Sequence, residues 1–308
     1  MRKILQIVSV ILVATIIIES AVGIYVYNAT VHAVKEDRRP LDIKVGMLEK
    51  KGFDVDAFEE KYNVREVMIK SSFGNHVIPA NYLTVKDSCG AVVMAHGLNG
   101  NRITAYPVAR MFLENGYNVL TYDQRNSGEN EAVYMTCGLW ESNDFRDCVE
   151  YICGLENQGA VGAWGSSIGG ATVGFYLGSE HASANLDFAI MDCPVSNMEQ
   201  IVEHFLTRKH KWIPGGLRTE LGSLVTELCL GYNYGDGDVC QYVSATTVPL
   251  LIFNTKKDGV TPYNMGADLA KAAGAQLVTV KDSGHTDIYW DHPKMYEETM
   301  MEFIERNK

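Results

Sequence analysis

The sequence predicts an α/β fold in which a mainly parallel central sheet is covered by helices on both faces. Three observations predict it. Apolar runs of strand length alternate with amphipathic segments of helix length along most of the chain, and such alternation implies right-handed crossovers between parallel strands. The stretch Val161-Gly-Ala-Trp-Gly-Ser-Ser-Ile-Gly-Gly170 sets Gly-x-Ser-x-Gly between an apolar run and a helix-compatible run, Ala171 to Leu177. Finally, the segment from Pro194 to Thr247 breaks the alternation and is too long for a plain connection, so it reads as a helical cap inserted into the fold.

Taken in order, the chain opens on Arg2 and Lys3 and then an apolar run from Ile4 to Tyr27, interrupted by Gln6, Ser9, Thr15, Glu19 and Ser20. A spanning helix needs about 20 mostly apolar residues, and this run is long enough. Residues 1–28 are therefore expected to form a transmembrane helix or signal anchor, with Tyr25 and Tyr27 suited to the interfacial belt. The alternative is a secretory signal, cleaved at small residues such as Val31-His32-Ala33. Basic residues flank both ends (Arg2 and Lys3; Lys35, Arg38 and Arg39), so charge does not orient the helix. The expected arrangement is a single-pass anchor with the soluble domain outside the cytoplasm, because a short N-terminal tail commonly stays in.

Residues 29–62 are charged, contain Pro40, and read as a juxtamembrane linker with one short helix near 56–62. The folded domain is expected over 63–308, with the cap at about 194–247. Arg65–Lys70 and His76–Thr84 read as an opening antiparallel hairpin around Phe73-Gly74-Asn75. Strands are then expected at Ala91–Met94, Asn118–Tyr122, Val161–Trp164, Phe188–Met191, Pro249–Phe253 and Gln276–Val280. Helices are expected at Ile103–Asn115, Glu141–Leu155, Asn264–Ala273 and Pro293–Arg306. Gly116 ends the first of these, and Phe145, Val149 and Ile152 share one face of the second. In the cap, Leu217, Leu221, Leu224, Val225 and Leu228 recur at helical spacing. That spacing is expected to place them in core packing or along an apolar substrate pocket. Arg208-Lys-His-Lys211 is a small basic cluster, read as a solvated loop or as a contact for anionic headgroups.

Composition narrows the function. The chain has 308 residues, 46% of them hydrophobic, enough for a sizeable core. A net charge of −11 argues against a nucleic-acid surface, which needs a basic stripe. The seven cysteines form no C-x-x-C pair and no ligand cluster in sequence, and several sit inside apolar runs as small hydrophobes.

The chemistry centres on Ser167. Gly165 and Gly169 lie two residues either side of it, where a tight strand-to-helix turn leaves room only for very small side chains. Ser166 is not selected, because its register would put Ile168 at a crowded position. A serine hydroxyl is a poor nucleophile and needs a base, which in turn needs an orienting carboxylate. His285 follows Gly284 just after the strand Gln276–Val280, and Asp258 lies just after the strand Pro249–Phe253. All three then fall at carboxyl ends of strands, where an open parallel sheet binds its ligands. Asp282 and Asp287 are rivals to Asp258 but are too near His285 in sequence to reach its ring easily. Oxyanion donors are expected from the backbone N–H of Ile168, which opens the following helix, and of Leu98 in the loop Ala95-His96-Gly97-Leu98-Asn99-Gly100. That loop lacks the lysine of a phosphate-binding P-loop, and His96 reads as structural.

With these residues in place, the chain from about Arg65 to Arg306 resembles the α/β-hydrolases. The matching motifs are His96-Gly97, Asp123-Gln-Arg-Asn-Ser-Gly128, Gly165-Ser-Ser-Ile-Gly169, the Asp258 loop and the His285 loop. They are most similar to the esterase/lysophospholipase-like and serine-aminopeptidase-like branch, which includes membrane-tethered members. The resemblance implies an eight-stranded α/β-hydrolase sheet, a Ser167–Asp258–His285 triad, oxyanion donors at Ile168 and Leu98, and no cofactor or metal. Two departures from the common pattern stand out: Asn126-Ser127 in place of Gly-His, and Asn254-Thr255 in place of His-Gly.

The expected activity is hydrolysis of small-molecule or lipid carboxylic esters through an acyl-enzyme. The same triad also serves a peptidase or aminopeptidase, which would need cap acids such as Glu199, Glu203 or Glu220 to hold a substrate amine. The third reading is a membrane-anchored binding protein that keeps the fold without activity.

Overall fold

A computed structural model describes residues 1–32, 40–155, 159–209 and 215–307. Ala33, Lys35, Arg38 and Arg39 lie outside the described residues, as do His210 and Lys211 of the basic cluster. The chain divides into two compact units, one formed by Met1–Ala33 with Asn197–Asp238, the other by Val34–Ser196 with Val239–Lys308.

Thirteen helices and eight strands occur among the described residues. The strands are β1 (Val64–Lys70), β2 (Val77–Leu83), β3 (Gly90–Ala95), β4 (Tyr117–Tyr122), β5 (Ala160–Ser166), β6 (Phe188–Asp192), β7 (Leu250–Thr255) and β8 (Gln276–Val280). The helices run α1 (Arg2–Val31), α2 (Leu41–Lys50), α3 (Val55–Lys61), α4 (Tyr106–Glu114), α5 (Glu141–Leu155), α6 (Ile168–Leu177), α7 (Glu180–Asn185), α8 (Met198–Lys209), α9 (Gly215–Leu230), α10 (Val239–Val243), α11 (Tyr263–Ala273), α12 (Ile288–Asp291) and α13 (Pro293–Asn307).

In the larger unit all eight strands form one sheet in the order β1-β2-β4-β3-β5-β6-β7-β8. β1 and β2 make the expected antiparallel hairpin, and β2 joins β4 antiparallel. From β4 to β8 the sheet is parallel. β3 and β4 are buried at every position, which suits parallel strands covered on both faces. Phe145, Val149 and Ile152 of α5 are fully buried on the expected face. α6 is buried all round, as a helix apolar on every side must be. Register sets the active edge: Ala95 pairs with Gly165, Ser166 with Asp192, and Thr255 with Val280, so the carboxyl ends of β3, β5, β6, β7 and β8 finish together.

The segment before β1 differs from its sequence reading. α2 was not expected; it contributes Leu48 to the core, the connection after it Phe53, and α3 Val55 and Phe58. The Phe58 ring lies 4.7 Å from that of Tyr106. Each helix is short and turns only a few residues inward, so its charged side dominates the sequence.

In the smaller unit α1 packs along α9 through small residues. A Cβ on Gly23 would meet the Leu221 carbonyl oxygen at 2.8 Å, and one on Gly222 would collide with Val26. Such close backbone approach is the usual basis of helix pairing in membranes. The Tyr234 hydroxyl donates to Thr30 Oγ1 at 3.2 Å, and Thr30 donates to the Val26 carbonyl at 2.9 Å. Here the cap leucines depart from expectation. The buried face of α9 is Arg218, Thr219, Gly222 and Thr226, while Leu217, Leu224 and Leu228 are 47%, 54% and 78% exposed. Helical spacing shows that these leucines share a face and does not say whether that face is covered.

Behind the active edge, buried Arg102 holds three elements of the larger unit together. Its guanidinium pairs with Asp123 at 2.5 Å, Glu129 at 2.6 Å and Glu66 at 3.1 Å, and its backbone N–H donates to Asp123 Oδ1 at 2.7 Å. Removing one member of a buried pair strands the other charge. Arg102→Ala is expected to lower the unfolding free energy by about 3–5 kcal/mol. Urea unfolding checks this, and a loss under 1 kcal/mol would contradict it.

Candidate active site

The turn between β5 and α6 holds Ser167 at φ 55° and ψ −118°, a conformation that a residue with a side chain rarely adopts. Its neighbours enforce it. A Cβ on Gly165 would strike the Gly169 backbone, and a Cβ on Gly169 would strike Ala95. The Ser167 N–H donates to the Asp192 carbonyl at 2.9 Å, and the Ser167 carbonyl accepts from Val195 at 3.1 Å. Fixed at both ends, the side chain projects from the carboxyl edge of the sheet.

His285 and Asp258 meet it there. His285 Nε2 lies 2.9 Å from Ser167 Oγ, and His285 Nδ1 lies 2.7 Å from Asp258 Oδ2. An ionised carboxylate only accepts, so Nδ1 carries the proton and Nε2 is free to accept from the serine hydroxyl. Burial alone would push the Asp258 carboxyl up. The His285 ring beside it, the Val260 N–H and the Thr261 hydroxyl outweigh that and hold it below the usual carboxylate range. Asp258 Oδ1 accepts from the backbone N–H groups of Val260 and Thr261, both at 2.8 Å, and Oδ2 accepts from the Thr261 hydroxyl at 2.8 Å. The Asp258 side chain is fully buried and the His285 ring is partly open, so a proton can leave the ring while the carboxylate stays dry.

The other candidates fall as follows. Ile168 opens α6 directly after Ser167, and Leu98 lies in the loop after β3. Gly97 abuts the serine, since a Cβ there would sit 3.2 Å from Ser167 Cβ. The two backbone donors thus belong to segments that border the nucleophile. The rival carboxylates are engaged elsewhere, Asp287 with Lys51 at 2.8 Å and Asp282 with His292 at 3.1 Å. His96 is buried and structural in its contacts: Nδ1 lies 2.8 Å from the Gly97 carbonyl, and Nε2 accepts from the Gln124 N–H at 3.1 Å. Burial lowers its pKa, in keeping with a neutral ring. The two unusual motif positions also have work. Thr255 donates to the Ser283 carbonyl at 2.8 Å, tying the acid and base loops together, and Asn126 takes φ 57° in the β4 turn.

Sequence reasoning missed three residues around the triad. Thr261, in Val260-Thr-Pro262, braces Asp258 and reaches the Cys193 carbonyl at 3.1 Å. Cys193 turns at φ 47°, and its sulfur lies within 4.8 Å of the Asp258 and His285 donor atoms. Burial pushes its thiol well up, so it fills space behind the imidazole as a neutral group. Asp192, at the end of β6, is fully buried and accepts from the Tyr296 hydroxyl at 3.2 Å, which itself accepts from Trp164 Nε1 at 3.0 Å. A carboxylate directly after an apolar strand, Phe188–Met191, was the available signal.

With this geometry in view, comparison with known proteins is informative. The family described as "alpha/beta hydrolase fold" matches residues 90–226, and that described as "TAP-like protein" matches 223–307. The chain belongs to the α/β-hydrolase superfamily. It is 25% identical over 257 residues to the uncharacterised protein YqkD of Bacillus subtilis, covering 82% of this chain and 83% of that one. It is 32% identical over 111 residues to the thiohydrolase aneE of Aspergillus aculeatus, covering 34% of each. Among solved structures, the Pyrococcus furiosus esterase Pf2001 superposes with a TM-score of 0.65 at 19% identity, over 80% of this chain and 93% of that one. An acylaminoacyl peptidase of Pyrococcus horikoshii gives 0.60 at 19% identity, over 80% of this chain and 42% of that one. These two structures share the fold.

Asp192 yields a stability prediction. Burial pushes its carboxyl up to about 6 from an ordinary 3.8, opposed by the Cys193 thiol, the His285 ring and the Tyr296 hydroxyl. The folded chain therefore keeps this proton to higher pH than the unfolded chain does, and ionisation opposes folding as pH rises from about 4 through 6. Asp192→Asn removes that penalty. At pH 8 the variant is expected to be more stable than the parent by about 1–3 kcal/mol, with the difference vanishing below pH 4. Denaturant unfolding across pH checks this, and a variant less stable at pH 8 than at pH 4 relative to the parent would contradict it.

Proposed function

We propose that this hydrolase is a serine esterase that cleaves carboxylic esters through an acyl-enzyme and is held at a membrane by its N-terminal helix. The observation that carries the reading is the unbroken hydrogen-bonded line from Ser167 Oγ through His285 to Asp258, at 2.9 and 2.7 Å. As the hydroxyl attacks the ester carbonyl, His285 Nε2 takes its proton. Asp258 steadies the charged ring, and the oxyanion draws on the Ile168 and Leu98 N–H groups. His285 then gives the proton to the leaving alcohol. Water then attacks the acyl carbonyl and loses a proton to the same nitrogen, which returns it to Ser167 Oγ as the bond to the serine breaks and the acid leaves. The group chemistry is complete in side chains and backbone, and the resemblance to the superfamily implies no cofactor.

The relay itself does not separate esters from amides, since both pass through the same tetrahedral intermediate. Esters are favoured here because their leaving alcohol needs less help from the acid. The membrane part of the reading rests on α1, which is long and apolar enough to cross a bilayer and exposes its apolar side chains from Ile4 to Ile18.

Assay of acyl esters of graded chain length against aminoacyl anilides tests the reading. Esters are expected to turn over faster. Ser167→Ala is expected to lower kcat by about 10⁴-fold or more, and Asp258→Asn by about 10³–10⁴-fold with KM little changed. Full ester activity in Ser167→Ala, or anilides preferred over every ester, would overturn it.

A further inference from the structure

The geometry points to a second membrane contact: the leucine face of α9 lies in the bilayer interface beside the anchor helix. This inference rests on the reading of α1 as a membrane anchor.

Leu217, Leu221, Leu224 and Leu228 recur at i, i+4, i+7 and i+11, so they share one face of α9. Three of them are left exposed, with Leu228 the most open at 78%. Four aligned leucines on a water-facing helix form the sort of patch that marks an interaction surface. Glu220 and Glu227 fall on a different side of the helix and are exposed, so the apolar stripe has a polar border.

The occupant follows from what adjoins the stripe. Leu221 belongs to the leucine face, and its backbone carbonyl together with the Val225 side chain beside it meets Gly23 of α1. The exposed stripe is therefore continuous with the flank of the anchor. Depth follows from length. A hydrocarbon core of about 30 Å takes about 20 residues of helix, so a span beginning at Ile4 emerges close to Gly23. That is where α9 packs. Past that level Val26, Thr30 and Val31 of α1 are buried within the smaller unit, while Ile24 and Tyr25 stay about half exposed at the depth expected for the interface. A helix fastened at that level with leucines on one side and glutamates on another matches the build of an interfacial helix, whose apolar face sinks about 5–10 Å into the boundary of headgroups and acyl chains. A second copy of the chain would also cover leucines at this spacing, but it would not account for their continuity with the anchor at the level of Gly23.

The test uses the full chain reconstituted in phosphatidylcholine vesicles whose lipids carry bromine at a shallow or a deep acyl position. Single tryptophans replace Ile11, Leu224, Leu228 or Glu220, and quenching is read as the difference from the parent protein. Ile11→Trp reports on the anchor and should be quenched by the deep bromine. Leu224→Trp and Leu228→Trp should lose about half of their added emission to the shallow bromine and little to the deep one, while Glu220→Trp stays unquenched. Retained hydrolysis of a water-soluble ester shows that each variant is folded. If Ile11→Trp is quenched and the α9 positions are not, the second contact is wrong and the anchor stands. If Ile11→Trp is not quenched, the anchor reading fails and this one with it. Emission at Leu224→Trp that shifts to the blue with protein concentration and ignores bromine would assign the face to a second copy and overturn the proposal.

Discussion

The turn at Ser167 is the constraint on which the larger unit is organised. A residue with a side chain at φ 55° and ψ −118° costs about 1–3 kcal/mol in backbone strain, and it persists only where its surroundings over-determine it. Here they do. Gly165 and Gly169 let backbone touch backbone, Asp192 accepts the serine N–H, and Gly97 leaves room for the side chain. The result is a Ser167 backbone fixed at the carboxyl edge of the sheet by main-chain contacts.

The same logic extends outward. Parallel register brings the ends of β5, β6, β7 and β8 level, so Ser167, the Asp192–Cys193 turn, the Asp258 loop and the His285 loop become neighbours despite long separations in sequence. Thr255 then ties the end of β7 to the loop after β8 by a hydroxyl bond to the Ser283 carbonyl, and Thr261 braces Asp258 within its own loop. The acid is buried, braced by two backbone N–H groups and a hydroxyl, and kept ionised by its partners. The base is partly open. That asymmetry suits the proposed mechanism, in which the ring gains and loses protons beside a carboxylate that does not.

Much of this was legible in the sequence because it is local. Buried parallel strands are short apolar runs, and Ser167, Asp258 and His285 each lie in the loop or turn that follows one. α5 and β8 have the bounds their patterns predict. What was illegible is non-local or one-sided. Nothing near Arg102 announces that Asp123, Glu129 and Glu66 converge on it, because the partners come from the loop after β4 and from β1. α2 is concealed by its charged side. Thr261 carries no motif, and its role exists only once β7 and β8 are adjacent. The cap leucines show the other limit: periodicity groups residues onto a face, and only packing says what the face meets. For α9 the packed face is made of glycine, threonine and a buried arginine, which no hydrophobic pattern would select.

The central claim is that Ser167, and not the neighbouring Ser166, is the activated hydroxyl. The most direct measurement is mass-spectrometric peptide mapping after reaction with an organophosphonate ester. The account predicts one adduct, on Ser167, formed in the parent protein and abolished by His285→Ala. An adduct on Ser166, or one on Ser167 that forms equally fast without the His285 ring, would contradict it.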